Sequence, residues 1–245
     1  MKLYVRLLNP EAEAAAIAKA LTKTSIKVGI EAGQITLLTD TFVQGNLEAT
    51  NYPFIREIWL RVHELIAIIN GAGLVEGGVI SRLNLLYVDY ENSEGKRAVM
   101  PNVGDSDIVL PALRTSIPDP SPFVALALND RAVAKTLRLF VPDSDWVNLY
   151  RIFEIIRHDI PIARMEAAGW ATKKEIRAFT LSANDPAITG DFARHGKLLP
   201  GVEKPGRQSP PKPAQPNTLS LAMARHLVGR LLRAWLNHKV AVPGP

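Results

Sequence analysis

The feature that most constrains this chain is a change of pattern near its middle. Before about residue 100, short β-branched and aromatic runs are broken by Gly and Asn, as in strands, around one long helical stretch. After about residue 122, apolar residues recur at spacings of three and four, as in helices buried on one side. Between them lies Asn102–Pro122, rich in Pro, Asp and Ser, which reads as a linker or long surface loop. The expected fold class is therefore α+β: a small α+β domain over 1–100, a linker over 101–122, and a helical bundle over 123–245.

Within the first part, Leu3–Leu8 reads as a strand. Asn9-Pro10-Glu11 then starts a helix running to about Leu21, with a capping residue, a first-turn proline and an early acid. Ile26–Ile30 and Gln34–Phe42 read as strands around a turn at Gly33. Phe54–Asn70 carries Ile55, Ile58, Trp59, Val62, Leu65, Ile66 and Ile69 at helical spacing, with Gly71 and Gly73 expected to end it. Val79–Tyr90 and Lys96–Met100 read as strands joined by the turn Asn92–Gly95.

In the second part, one helix is expected within Pro122–Phe140, starting near Asn129 or Asp130. Asp143 or Ser144 is expected to cap the next, which runs to about His158. Thr172 is expected to cap a third, Lys173–Leu181. Residues 200–216 hold six prolines and are not expected to form regular structure. Leu219–Lys239 is the clearest helix, with Leu221, Ala224, Leu227, Val228, Leu231, Leu232, Trp235 and Leu236 in one stripe.

Composition removes whole classes of chemistry. With no cysteine, the chain has no disulfide, thiolate metal site or cysteine nucleophile, which fits a reducing cytoplasm. Its five histidines include no H-E-x-x-H and no pair three to five apart, so no metal and no cofactor is expected. A metal-dependent hydrolase would have to use Asp105, Asp107 and Asp119 with those histidines. There is no dinucleotide fingerprint after a strand, no Walker lysine motif and no G-x-S-x-G elbow. The longest apolar candidate, Leu65–Ile80, is broken by Asn70, four glycines and Glu76, so no membrane span is expected. The first residues lack the pattern of a secretory signal.

Charge is placed unevenly. Of a net +5, residues 1–100 contribute little, whereas residues 194–239 hold nine Lys and Arg against one acid, Glu203. Such a stretch suits RNA or another polyanion, and equally a solvated basic face. Polar chemistry concentrates in Ser182–Gly196, SANDPAITGDFARHG. Arg194 can hold a phosphate, His195 can move a proton near neutral pH, and Asn184 and Asp191 can orient both. The same residue types form turns and pin loops, so a purely structural segment fits as well. On the final helix His226, Arg230, Arg233 and Asn237 share a face, with Arg225 nearby. On the helix that runs to about His158, Arg151, Glu154 and His158 share another.

Residues 125–240, with LYRIFEII, then SANDPAITGDFARHG, a proline-rich stretch and RLLRAWLNHK, resemble the HEPN superfamily of prokaryotic helical domains. That family's motif is Arg, four to six residues, then His. Arg56–His63, Arg151–His158 and Arg233–His238 match its spacing here. The resemblance implies a four- or five-helix bundle acting as a homodimer in defence or toxin–antitoxin systems. It also implies metal-independent RNA cleavage through the 2′-hydroxyl. Two readings stay open at this point: a regulatory or nucleic-acid-associated module with a protein partner, and a metal-independent endoribonuclease using Arg and His.

Overall fold

In the computed structural model, described residues are 2–8, 14–31, 33–39, 52–76, 83, 85–91, 95, 97–101, 119–184 and 218–242. Two compact units divide the chain, Met1–Val141 and Pro142–Pro245. The α+β class holds, because the first unit carries a sheet and the second is built of helices.

The sheet has five strands: β1 (Lys2–Leu7), β2 (Lys27–Glu31), β3 (Gln34–Thr39), β4 (Leu85–Glu91) and β5 (Arg97–Pro101). Their order is β2-β3-β1-β4-β5, and each pairs antiparallel with its neighbours. The alternation that suggested strands sets their faces. Leu3, Val5, Leu7, Ile35, Leu37 and Val88 are buried on one face. Tyr4, Arg6, Thr36, Tyr87 and Asp89 occupy the other by register. Gly33 (φ 76°) lies in the turn from β2 to β3, and Gly95 (φ 76°) in that from β4 to β5, a backbone region glycine enters without strain.

Among the described residues this unit also contains four helices: α1 (Ala14–Ala20), α2 (Tyr52–Val75), α3 (Ser121–Asn129) and α4 (Arg131–Leu139). Helix α2 buries Ile58, Val62, Leu65, Ile69 and Ala72, at steps of four, three, four and three. It does not stop at Gly71 and Gly73. Gly71 instead marks a close approach, because a Cβ there would lie 2.0 Å from the Leu137 carbonyl oxygen of α4. The continuation also changes the membrane reading. Arg56–Val75 is long and apolar enough to span by length and composition, yet 56% of it is buried inside the protein, as in a core helix. Asn70 fixes α2 to the approach of β4, donating to the Leu83 carbonyl at 3.2 Å and accepting from its N–H at 2.7 Å.

Helices α3 and α4 pack on α2, so the division between units falls after Val141 and not within 101–122. One helix was expected in 122–140, and there are two. Asp130 supplies the break: its extended backbone ends α3, and its carboxylate accepts from the N–H groups of Ala132 and Val133 to start α4. Expectations for residues 9–13, 40–42, 77–82 and 102–118 lie outside the described residues.

The second unit contains α5 (Trp146–Asp159), α6 (Ile162–Ala167), α7 (Lys173–Asn184) and α8 (Leu221–Ala241). Asp145, not Asp143 or Ser144, caps α5, accepting from Asn148 N–H at 2.7 Å. Thr172 caps α7 as its spacing to Glu175 suggests: Glu175 N–H donates to the Thr172 hydroxyl at 3.2 Å, and Thr172 N–H donates back to the Glu175 carboxylate at 2.8 Å. The core centres on Phe179, whose ring lies 5.4 Å from Phe153, 6.0 Å from Tyr150 and 6.2 Å from Trp146. Trp235 is fully buried, and its indole N–H donates to Asp159 at 2.6 Å.

Candidate nucleic-acid interface

The final helix presents two different sides. Ala224, Leu227, Val228, Leu231, Leu232, Trp235 and Leu236 are buried. On the opposite side His226, Arg230, Arg233 and Asn237 are all exposed, as their four-three-four spacing predicts. They follow one line over about 16 Å of helix. The exposed side chain of Met223 begins the same line. This placement gives a basic edge to a unit that already holds the chain's charge excess. Residues 142–245 carry fifteen Lys and Arg against nine Asp and Glu.

The structure assigns the arginines of this helix to different tasks. Arg225, five residues before Arg230 and so about 140° around the helix, leaves the exposed line. It is half-buried, and its Nε donates to the Ser144 carbonyl at 2.8 Å, tying α8 to the start of α5. Arg230 donates to the Glu175 carboxylate at 2.6 Å. Glu175 is the same residue that closes the α7 cap. The Thr172 backbone N–H, followed by Arg230, holds its pKa down at about 2. Lys239 pairs with Asp159 at 3.2 Å and lies 5.2 Å over the Trp235 ring.

The remaining expected site residues are not gathered at one point among the described residues. Arg151 and His158 are both exposed on α5, with half-buried Glu154 on the same face. Helix α8 runs unbroken through Arg233 and His238, so the two diverge: Arg233 is exposed, whereas His238 is half-buried with its ring edge-on to Trp170 at 5.9 Å. Ser182 is buried, and its hydroxyl accepts from Leu219 N–H at 2.8 Å, fixing the entry to α8. Asn184 donates to the Thr180 carbonyl at 2.7 Å within α7, and its buried Oδ1 accepts nothing from the described residues. Asp185, Asp191, Arg194 and His195 lie outside the described residues, as do Asp105 and Asp107. Asp119 accepts from Ser121 N–H at 3.1 Å, an interaction at the start of α3. No group of three His, Cys, Asp or Glu able to hold a metal occurs among the described residues.

In the first unit, Arg56 and His63 are exposed on α2. His63 stacks on Trp59 at 5.3 Å, and partial burial lowers its pKa.

Sequence reasoning missed a second polar cluster, on the outer face of the sheet. Arg6 is buried there at the centre of β1. Its Nε donates to Asp89 at 3.2 Å, one terminal nitrogen to Thr36 at 2.6 Å and the other to Glu31 at 2.5 Å. Tyr4 donates to Glu91 at 2.9 Å, and Tyr87 to Gln34 at 3.2 Å. With each guanidinium nitrogen engaged, Arg6 on β1 clamps β2, β3 and β4 to its own strand. A signal was present: Arg6 and Asp89 are opposite single charges inside the apolar runs YVRLL and LLYVDY.

Compared with known proteins, the chain matches no family model, no curated protein and no solved structure.

Proposed function

We propose that this protein is a regulatory, nucleic-acid-associated module of the bacterial cytoplasm, with RNA as the polyanion it holds. The observation that carries the reading is α8 itself. One side is locked into the core by seven buried residues, and the other offers His226, Arg230 and Arg233 in a line. An anchored helix with a cationic outer edge suits phosphate contact, because its side chains are already aligned when the strand arrives. The resemblance of residues 125–240 to HEPN domains supports a setting in a defence or toxin–antitoxin system, with a protein partner. Binding is favoured over cleavage because the described Arg and His residues do not converge.

Fluorescence anisotropy with a labelled single-stranded RNA tests this between about 50 and about 200 mM salt. Binding is expected to weaken steeply with salt, and Arg233→Ala to lower the slope by about 1 without changing the circular dichroism spectrum. Salt-independent binding, no binding at low salt, or an unaffected Arg233→Ala variant would refute the reading. Cleavage of the probe would replace it with the nuclease reading.

A further inference from the structure

Among the described residues, the outer edge of the sheet at β2 pairs with no further strand. Four of its five residues are exposed, and Ile30, at 50% exposure, is an apolar side chain left in solvent at the rim of the core. Alternate residues of an edge strand turn their backbone N–H and C=O groups outward, where a further strand can take them.

The sequence of this edge, Lys27-Val-Gly-Ile-Glu31, is complementary to itself when reversed. Two identical edges paired antiparallel about a two-fold axis must be centred on a residue. Only then do the outward-facing groups of one meet the outward-facing groups of the other. Centring on Gly29 uses all five residues. It sets Lys27 opposite the second copy's Glu31, and Val28 opposite its Ile30, each pair occurring twice. Gly29 meets its own counterpart on the axis. Centring one residue earlier sets Lys27 opposite Gly29 and loses both charge pairs. Lys27 is exposed, and the Glu31 side chain keeps 46% of its accessibility while accepting from Arg6. Both charges can therefore face a partner.

We propose that two copies of this chain join along β2, centred on Gly29, into one continuous ten-stranded antiparallel sheet. The pairing is isologous, so it closes as a dimer and leaves no complementary β2 edge for a third copy. It satisfies outward backbone groups, covers Ile30 with the partner's Val28, and adds two cross-strand ion pairs. The inference is independent of RNA binding by the second unit.

The absence of cysteine allows a direct test. A Cβ on Gly29 meets nothing within 4 Å. Across an antiparallel pair, opposed Cα atoms lie about 4.5–5.5 Å apart, within disulfide reach. Under mild oxidation the full-length Gly29→Cys chain is expected to form a covalent dimer rapidly. Val99→Cys, on exposed Val99 of the far edge strand, is the slow control. By sedimentation, the wild-type chain is expected to rise with concentration from 26.9 kDa toward twice that mass. Lys27→Glu sets like charges opposite one another at both ends and is expected to weaken the dimer about tenfold. Glu31→Lys should do the same, and mixing the two variants should restore affinity as a heterodimer. A monomer at every concentration would overturn the proposal. So would cross-linking at position 29 no faster than at position 99, or mixed variants no tighter than either alone.

Discussion

Replacing Gly71 with alanine pits two opposite effects against each other. In an ordinary helix interior the exchange stabilises by about 1 kcal/mol, because alanine restricts the unfolded chain and glycine does not. At this site the new Cβ would lie 2.0 Å from the Leu137 carbonyl oxygen, 2.7 Å from its carbonyl carbon and 3.0 Å from its Cα. Ordinary contact begins at 3.4 Å. All three obstacles are backbone atoms within α4, so no side chain can rotate away. The helices must move apart by more than an ångström, on the order of the gap that forfeits a quarter to a half of each contact. Leu137 and Val133 on α4, and Ile69 and Ala72 on α2, are fully buried at this crossing and would lose packing together. Overpacking costs about 1–3 kcal/mol, and a backbone obstacle belongs at the upper end. Less the propensity gain, the net loss is about 2 kcal/mol, a large part of a domain's margin. Hydrogen exchange of α2 amides separates this unit from the other, and a 2 kcal/mol loss should speed its slowest amides about 30-fold. Unchanged or slowed exchange in Gly71→Ala would refute the close approach, and with it the packing of α4 on α2.

Glu175→Gln should lower stability by about 1 kcal/mol near neutral pH, the usual scale of a partly exposed cap and ion pair. Because the folded carboxyl is depressed to about 2 from 4.5, its contribution is complete above 4.5 and drains as the pH falls toward 2. Melting curves of the two proteins should converge in that window, and a gap that persists there would contradict the linkage. The same variant releases Arg230, so its RNA affinity should rise, and a fall would count against the exposed line on α8 as the contact. Arg6→Met should destabilise the first unit by about 3–5 kcal/mol, because it leaves Asp89 buried without its cation. Adding Asp89→Asn should recover part of the loss in urea unfolding, and a neutral Arg6→Met would show that the clamp carries no stability.

Local rules carried far where the signal itself was local. Thr172 could be read as a cap, and Asn129 or Asp130 as a helix start, because a side chain that bonds its own helix start needs nothing from elsewhere. The exposed line on α8 could be read because helical spacing alone fixes it. The failures share one cause. Gly71 looked like a terminator because glycine often ends helices, but its purpose lies in α4, over sixty residues away. Helix α3 was missed because Ser121-Pro122 looks like the end of a linker, whereas proline is well placed in a first turn. The Arg6 cluster stayed hidden because β1 lies between β3 and β4, and that order brings together residues 6, 36 and 89. The end of the first compact unit at Val141 has the same origin: composition marks where proline and aspartate gather, but not which helices α2 recruits.

The same distinction decides how a basic helix should be interpreted. Arg225, Arg230 and Arg233 are equal in a charge count and close in sequence, yet their positions around the helix give them different work. Arg225 borders the apolar stripe and spends its Nε on the Ser144 carbonyl, so its removal would loosen α8 from α5 before it changed any surface contact. Arg230 sits on the exposed line but is held by Oε1 of the acid whose Oε2 caps α7, so its charge becomes available at the expense of that ion pair. A polyanion that competes for Arg230 would therefore be coupled to the start of α7, where Thr172 and Glu175 hold the first turn closed. Binding and local helix stability are then linked through one carboxylate, and reciprocity requires that whatever strengthens the cap's hold on Arg230 must weaken the grip on phosphate by the same factor.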